Sequence, residues 1–293
     1  MIIRKKRVSI LTIINITILI SLALLCVLPF ANMLAMSFSS KEAIDEGIIT
    51  FFPLGLNVDA YKYILSKDAF WQSLKISLIR VAFGVPLNVI IAIITAYPLA
   101  KESKKFKTRT IYVWILFFTL LFSGGIIPWY FLLHKLNMLN NMSALILPGA
   151  VPVFSIIILI NFFRRIPKEL EEAAIMDGAN HWQILFKIYV PLSVASIATI
   201  TLFSLVWHWN SWFDGMLLMH DPSKYPLQTY LQQILIETDT SLNQYKGNPE
   251  FSFLGNKSAR AAGVIISIIP IVIAFPFVQR HFKKGLVLGS VKE

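Results

Sequence analysis

The chain has 293 residues, of which 56% are hydrophobic and only 15% are charged, and its mean hydropathy is +0.66. A water-soluble domain carries about 25% charged residues, so this composition excludes an ordinary soluble enzyme and is typical of a membrane protein. The net charge of +11 would suit nucleic acid, but the basic residues cluster beside apolar runs, the pattern that orients membrane proteins. We therefore expect a chain surrounded by a lipid bilayer, with no nucleic-acid partner.

The first residues, MIIRKKRV, precede apolar sequence and look like the start of a signal peptide. The uncharged run from Val8 to Ser40 is 33 residues long, whereas the apolar region of a signal peptide spans about 7–15 residues. No convincing small-residue cleavage site follows it. We therefore expect a retained anchor that forms the first membrane span.

Apolar runs long enough to cross a bilayer recur along the chain, since a helical span needs about 20 mostly apolar residues. The sequence predicts an all-α membrane protein with six transmembrane helices, which cover Val8–Phe30, Val81–Ala100, Thr110–Leu133, Ser143–Phe163, Ile188–Trp207 and Ala261–Gln279. The second span can begin as early as Leu74, with Lys75 and Arg80 extending to the outer interface. No span then carries a charged residue at mid-depth, which counts against a proton-driven or sodium-driven porter.

Basic residues give the predicted orientation. Of the 27 Lys and Arg residues, 17 fall in one set of four polar pieces and 8 fall in the other three, which together contain more residues. The four basic pieces are 1–7, 101–109, 164–187 and 280–293, and the other three are 31–72, 134–142 and 208–260. Cytoplasmic loops carry the excess of Lys and Arg. Both termini and the segment 164–187 are therefore predicted to be cytoplasmic.

Residues that weaken helices interrupt the predicted spans. Those in or at the ends of spans are Pro86, Pro98, Pro128, Pro148, Pro152, Pro191, Pro270, Pro276, Gly84, Gly124, Gly125, Asn88 and Asn161. Neighbouring helices or a water-lined cavity can satisfy the backbone at such points. Ordinary kinks in a helical bundle are the simpler interpretation. A gated pathway, with Ser123–Gly125 as its best local candidate, is the alternative.

A polar segment, Ile166–Leu192, separates the fourth and fifth predicted spans and carries its own helix signals. Pro167 suits a first helical position, and the glutamates after it fall near the positive end of the helix dipole. Gly178 favours a left-handed stop, and Asn180 with Gln183 predicts a second helix start with a capping box. We predict a helix, a glycine turn and a second helix at a membrane surface, where a partner can dock.

The longest polar stretch is 208–260. Aromatic residues around its start are interpreted as an interfacial belt; they are Trp207, Trp209, Trp212 and Phe213. Leu227–Ile236 has a helical pattern suited to the outer face, and the Gly, Asn and Pro residues of Lys246–Lys257 predict a projecting loop. That loop and the part-polar stretch Lys41–Gln72 are candidate contact surfaces for an external partner.

Patterns that indicate catalysis are missing from the sequence. The histidines are scattered without metal-ligand spacing, and the single cysteine cannot complete a zinc set; they are His134, His181, His208, His220 and His281. No G-x-x-x-x-G-K-[ST] loop is present, and no Ser, His or Asp lies in a nucleophile motif. We expect a non-catalytic chain without a cofactor or metal, whose energy source lies elsewhere.

The polar segment also carries a spaced motif. Glu172-Ala173-Ala174 is followed after three residues by Gly178, which is followed after nine residues by Ile188 and after two more by Pro191. This pattern resembles the EAA motif of bacterial ABC importer permeases in full.

Two further stretches resemble one branch of that family. Gln279–Glu293 is similar to the tail of the second permease subunit of the maltose-type carbohydrate uptake family. Trp209–Leu235 and Phe122–Pro128 look like the branch that imports complex oligosaccharides, the lipoprotein or polysaccharide-uptake type.

The resemblance implies the type I ABC importer permease fold, in which two short cytoplasmic helices dock into a groove on an ATP-binding subunit. It implies as partners a homologous permease subunit, a dimer of ATP-binding subunits that bind ATP-Mg, an extracytoplasmic solute-binding protein and an oligosaccharide. The implied coupling residues are Glu172, Ala173, Ala174, Asp177, Gly178, Ala179 and Pro191. The implied tail contacts to the ATPase are His281, Lys284 and Gly285.

The chemistry of these residues agrees with that role. Glu172 can pair with an Arg of the partner, Ala173 and Ala174 permit close approach, and Gly178 permits a turn that a Cβ-bearing residue makes only at a cost. Asp177 is alternatively a local cap.

The expected organisation is an anchor span with the first external loop (1–72), a permease core (73–279) and a cytoplasmic tail (280–293). The core contains coupling helices at 166–187 and an external loop at 208–260. The predicted function is the membrane subunit of an ATP-driven oligosaccharide importer in the bacterial cytoplasmic membrane. An ion-coupled secondary sugar transporter and a non-transporting membrane scaffold are the alternatives.

Overall fold

The computed structural model describes residues 10–233 and 257–289, with residues 277–289 as backbone only. Every regular element in these ranges is helical. The helices are α1 (Ile10–Ser37), α2 (Lys41–Asp45), α3 (Asp59–Ser66), α4 (Asp68–Ala100), α5 (Arg109–Leu121), α6 (Ile126–Lys135), α7 (Met142–Gly149), α8 (Val153–Phe163), α9 (Lys168–Met176), α10 (His181–Leu192), α11 (Val194–Asn210), α12 (Phe213–Leu218) and α13 (Lys257–Gly289). Residues 227–233 are also helical. The predicted loop at Lys246–Lys257 falls almost entirely outside the described residues.

Candidate spans number three to six within the described ranges. Three single helices are long and apolar enough to cross a membrane: α1, α4 and α13 as far as Pro276. Three bent pairs qualify if each is one span: α5 with α6, α7 with α8, and α10 with α11. These six regions overlap the six predicted spans, although α4 begins at Asp68 and the α10–α11 pair begins at His181, both before the predicted starts.

The sharpest bend lies at the Ser123–Gly125 stretch. α5 ends at Leu121, and α6 begins at Ile126 at an angle of 111° to it. Gly125 has φ +86°, a left-handed conformation that glycine adopts without the steric cost of a Cβ. The predicted weak point is therefore a real break in the helix, whereas its role as a gate stays a prediction.

The chain forms two compact units, each of which is described by itself. The first contains Met1–Lys67 and Gln233–Ile268, and the second contains Asp68–Gln232 and Ile269–Glu293. In the first unit, the Tyr61 hydroxyl donates to Ser37 Oγ at 2.7 Å, and the Tyr61 ring stacks on Phe38. These contacts join α3 to the end of α1. The domain boundaries predicted at 72/73 and 279/280 stay predictions.

In the second unit, α4 packs against both α8 and α11. The core of this unit comes from the faces where these helices meet α10, and its buried residues are Ala92, Ile93, Ala96, Tyr97, Leu99, Ile156, Leu159, Ile160, Phe163, Ile184, Leu185, Tyr189 and Ile200. Small residues of α4, such as Ala92 and Ala96, are fully buried. They permit the close helix approach that is common in membrane bundles.

One glycine of α4 is required by a close approach to α11. A Cβ built on Gly84 would lie 2.4 Å from the ring of His208. No side-chain carbon fits at that distance, so a glycine at this position lets the buried imidazole of His208 pack against the α4 backbone.

Arg80 corrects one sequence-based expectation. Its side chain does not extend to an interface, because the residue is fully buried and its guanidinium forms an ion pair with Asp214 of α12. Arg80 Nη1 donates to Asp214 Oδ1 at 3.2 Å, and Nε donates to His208 at 3.4 Å. The prediction that no span carries a charged residue at mid-depth stays a prediction, since Arg80 lies at the edge of the predicted span Val81–Ala100. The paired carboxylate stabilises the guanidinium where water cannot reach it.

The aromatic-belt interpretation fails for one of its four residues. Trp209 is buried, with only 3% of its surface exposed. Trp207, Trp212 and Phe213 keep substantial exposure, but the Trp207 ring also lies beside Arg80, with 5.6 Å between the guanidinium carbon and the ring centroid. These aromatic side chains therefore include packing residues of the second unit.

Candidate functional site

The predicted helix–turn–helix is present between α8 and α11. Pro167 is the N-cap of α9 rather than its first residue, and Glu169 and Glu171 fall in the first turn. Carboxylates at this end are favoured by the helix dipole. α9 is only nine residues long, so it depends on contacts with the rest of the chain for its stability.

Gly178 ends α9 in a left-handed turn with φ +80°. Its N–H donates to the carbonyl of Ile175 at 3.0 Å, and the N–H of Ala179 donates to the carbonyl of Ala174 at 2.9 Å. These two bonds form a Schellman motif, the usual way in which a glycine closes a helix. Asp177 occupies the C-cap position.

α10 begins with the predicted capping box. Gln183 N–H donates to Asn180 Oδ1 at 2.9 Å, and Asn180 N–H donates to Gln183 Oε1 at 2.9 Å. The two bonds satisfy backbone donors that a helix start otherwise leaves free. Only Ala179 separates Gly178, which ends α9, from Asn180, which caps α10. The angle between the two short helices is therefore fixed by local hydrogen bonds.

α10 contains a π-helical turn at Leu185–Tyr189, closed by a bond from the N–H of Val190 to the carbonyl of Leu185. Pro191 is the next residue. It has no N–H to donate, and its ring clashes with the carbonyl four residues earlier in a regular α-helix. A π-turn is one way to absorb this misfit. The chain then bends by 83° into α11, so Pro191 marks the point where the segment turns into the apolar helix.

Glu171 attaches α9 to the rest of the second unit. Its side chain is 7% exposed, and its two carboxylate oxygens lie 2.6 Å from Lys101 Nζ and 3.3 Å from Lys105 Nζ. The Tyr189 hydroxyl donates to Glu171 Oε2 at 2.7 Å. Lys101 also lies over the ring of Tyr97, 4.0 Å from its centroid. This cluster, Glu171, Lys101, Lys105, Tyr97 and Tyr189, is called the Glu171 anchor.

Burial and charge act in opposite directions on Glu171. Burial alone would raise the pKa of its carboxyl, but the hydrogen bonds from Lys101 and Tyr189 and the charges of Lys101 and Lys105 outweigh it, and the pKa is lowered. For Lys101, burial is the larger effect and lowers the pKa of the ammonium in spite of its bond to Glu171. The carboxylate is thus ionised at neutral pH.

The next residue, Glu172, is exposed and so are Ala173, Asp177 and Gly178. Large apolar side chains share this exposure: Met176 is 87% exposed, Trp182 59% and Phe186 53%, and the rings of Trp182 and Phe186 stack with 6.1 Å between centroids. Exposed apolar side chains beside small and charged residues are typical of a protein–protein contact surface. We call these seven residues the docking face.

The other predicted coupling residues lie elsewhere. Ala174 and Ala179 are partly buried and pack against the core of the second unit. The tail residues His281, Lys284 and Gly285 lie within α13, but their side chains are outside the described part of the chain. The contacts predicted for all of these residues stay predictions.

Sequence reasoning missed the Glu171 anchor. Glu171 and Glu172 are adjacent, and successive residues of a helix point about 100° apart, so one can be buried while the other is exposed. Two features of the sequence could have indicated the anchor: the adjacent glutamates Glu171 and Glu172, and Lys101, which directly follows an apolar span. Among the described residues, no group of three His, Cys, Asp or Glu side chains comes close enough to hold a metal ion.

Residues 77–287 match the family described as "Binding-protein-dependent transport system inner membrane component". The chain belongs to this family of inner-membrane transport components. The match covers α4 through most of α13, and it includes both the Glu171 anchor and the docking face.

Two curated relatives match nearly the whole chain. The polygalacturonan/rhamnogalacturonan transport system permease protein YtcP of Bacillus subtilis (strain 168) is 37% identical over 274 residues, which are 94% of this chain and 95% of the relative. Protein LplC of the same organism is 36% identical over 283 residues, 95% of this chain and 93% of the relative.

A solved structure has the same fold. It is a chain of a bacterial ABC transporter involved in the import of the acidic polysaccharide alginate, with a TM-score of 0.82 and 32% identity over 96% of this chain and 100% of that one. The predicted all-α ABC importer permease fold is thereby confirmed.

Proposed function

We propose that the chain is the membrane-spanning permease subunit of an ATP-driven oligosaccharide importer, and that the docking face binds an ATP-binding partner at the cytoplasmic membrane surface. The observation that carries this proposal is the contrast between two adjacent glutamates. Glu171 is buried in an ion-pair cluster, while Glu172 is exposed on a rigid helix–turn–helix next to Gly178. A segment held this firmly transmits force from a partner to the helices behind it.

Charge supports the orientation. The Glu171 anchor joins α9 to Lys101 and Lys105, and these belong to the basic pieces that the positive-inside rule assigns to the cytoplasm. Both termini would then also be cytoplasmic. The family's binding-protein-dependent character supports an extracytoplasmic solute-binding protein as a partner, with a second, homologous permease completing the pathway.

The energy would come from ATP-Mg bound by the ATP-binding partner, since this sequence has no phosphate-binding loop. The chain itself would bind no cofactor. The relatives and the alginate importer support oligosaccharides as the substrate class, and oligosaccharides that contain uronic acids are the first to test.

An ion-coupled transporter is the rival, because Arg80 and Asp214 place ionisable groups inside the second unit. Their arrangement argues against proton or cation transport. The Asp214 carboxylate accepts bonds from Arg80, from Ser211 Oγ at 2.8 Å and from the N–H of Gly215 at 2.9 Å. A carboxylate whose oxygens already accept this many hydrogen bonds belongs to a structural ion pair and is not arranged to bind a transported cation.

Co-purification of the ATP-binding partner tests the proposal. The tagged chain is expressed with an ATP-binding subunit and a second permease from the same host, and Glu172→Lys is compared with Glu46→Lys, a charge reversal at another exposed glutamate. We expect Glu172→Lys to lose the ATP-binding subunit and Glu46→Lys to retain it. Retention of the ATPase by both variants would contradict docking through this face.

A further inference from the structure

A cavity of about 390 Å³ lies between α4, α5, the junction of α7 with α8, and α11. Its lining includes Asn88, Thr119, Phe154, Phe203, Ser204 and Trp207. Ligand pockets have volumes of about 300–1,000 Å³, so the space suits a single sugar ring. It lies apart from the docking face and from the Glu171 anchor, and neither accounts for it.

Two buried polar atoms at this cavity have no partner among the described residues. Asn88 is 3% exposed and Ser204 is 5% exposed, and neither Asn88 Oδ1 nor Ser204 Oγ makes a hydrogen bond within the described part of the chain. A buried polar group without a partner costs free energy, and this cost is seldom tolerated in a membrane interior. Both side chains line a cavity, where a hydroxyl-bearing guest would supply the missing bonds.

Aromatic rings form the other part of the lining. Trp207 is 47% exposed, and Phe154 and Phe203 lie with their ring centroids 6.1 Å apart. The Trp207 ring is confined by Gly149, since a Cβ built there would lie 2.3 Å from the ring. A fixed, partly exposed indole offers a flat apolar surface to a ligand.

The lining carries no charged side chain among its described residues. The nearby Arg80 is already paired with Asp214. Phosphate or a free cation therefore finds no counter-charge here, and lipid tails would leave Asn88 and Ser204 unsatisfied. A sugar ring has both required features, because its hydroxyls form hydrogen bonds and its C–H faces pack on aromatic rings.

We infer that this cavity is a saccharide-contact site of the permease chain itself. Asn88 and Ser204 bond hydroxyls of one sugar ring, and Trp207 packs against the face of that ring. The inference rests on the proposed function, since it names the surface along the pathway that the transported oligosaccharide contacts.

Uptake kinetics test the site in the complete complex, reconstituted in vesicles with its solute-binding protein. Trigalacturonate and arabinotriose are the probes. We expect Asn88→Leu and Trp207→Ala to raise KM for uptake about fivefold or more, the effect of one lost hydrogen bond or packing contact, with Trp207→Phe restoring most of the loss. Ser204→Ala should raise KM as Asn88→Leu does, and Ser196→Ala is its matched control, because Ser196 is another buried serine of α11 that has no partner among the described residues and does not line the cavity.

Thiol labelling tests binding without transport, and it also covers variants that assemble poorly. Cys26, the single cysteine, is replaced by Ala, and Ser204→Cys is labelled in the purified complex with a small thiosulfonate reagent. We expect the probe saccharides to slow labelling at this position several-fold and to leave Phe83→Cys, an exposed position of α4 outside the cavity lining, unchanged.

The two proposals fail in different ways. Unchanged KM in both Asn88→Leu and Trp207→Ala, together with labelling of Ser204→Cys that no probe slows, would overturn the saccharide site while leaving ATP-driven import standing. A wild-type complex that shows no ATP-dependent uptake would overturn the proposed function, and protection of Ser204→Cys would still support the site.

Discussion

Lys101 Nζ, one residue beyond the end of α4, lies 2.6 Å from Glu171 Oε2 in α9. Tyr189 of α10 donates to the same carboxylate oxygen. One carboxylate therefore joins a long apolar helix, a short polar helix and the π-turn that leads into α11. Movement of α9 cannot occur without stress on α4, which is the mechanical property that a coupling element needs.

Loss of this carboxylate should destabilise the chain. We expect Glu171→Gln to lower the free energy of unfolding by about 2–3 kcal/mol, because it leaves the Lys101 ammonium buried without its counter-charge. Thermal unfolding of the purified protein in detergent measures the effect. Glu102→Gln is the control, since Glu102 pairs with Lys168 at an exposed site, where water and salt screen the pair and it contributes little to stability. Equal effects of the two changes would contradict the anchor.

The same carboxylate gives a pH signature. The folded pKa of Glu171 lies below the ordinary value of 4.5, so its contribution to stability is present above about pH 4.5 and is lost as the pH falls through the folded pKa. We expect the stability difference between the wild type and Glu171→Gln to narrow steadily below pH 4.5. Unfolding curves at a series of pH values measure it, and a difference that stays constant down to pH 3 would argue against this pair.

Gly178 has a purely conformational role in the fold. A Cβ at this position would meet no atom within 4 Å, but φ is +80°, so Gly178→Ala should cost about 1–2 kcal/mol from backbone strain alone, with Gly178→Asn costing less. Gly124→Ala is the matched control, because it also meets open space and has no left-handed φ. Similar melting temperatures for Gly178→Ala and Gly124→Ala would contradict the left-handed turn.

The Arg80–Asp214 pair should be essential to the fold. Asp214→Asn leaves a fully buried guanidinium with no counter-charge, and we expect a loss of about 3–5 kcal/mol. The double change Arg80→Met with Asp214→Leu should recover part of the loss, because it removes both buried charges together. Unfolding measurements compare these variants with Asp59→Asn, an exposed carboxylate. A double variant less stable than Asp214→Asn would argue that the pair does more than neutralise charge.

Local patterns predicted much of the structure. The capping residues Asn180 and Gln183, the stop at Gly178 and the break at Ser123–Gly125 each depend on residues that are close in the chain, and each is present. Bend angles and helix starts were not predictable, because packing between distant helices sets them.

Long-range pairing was the main source of error. Arg80 and Asp214 are 134 residues apart in the chain, so the apolar surroundings of Arg80 alone suggested a side chain that reaches water. The buried role of Glu171 was missed for a related reason. The two have the same chemistry, and only the position of Lys101 and Tyr189 in the fold decides which one is buried.

Uptake in sealed vesicles tests the central claim most directly. The complex, with its solute-binding protein outside and ATP-Mg inside, is supplied with labelled trigalacturonate, and the wild type is compared with Glu172→Lys and Gly178→Pro. We predict uptake that requires ATP, survives collapse of the proton and sodium gradients, and is lost in both variants. Uptake that continues without ATP, follows an ion gradient or persists in both variants would contradict the account.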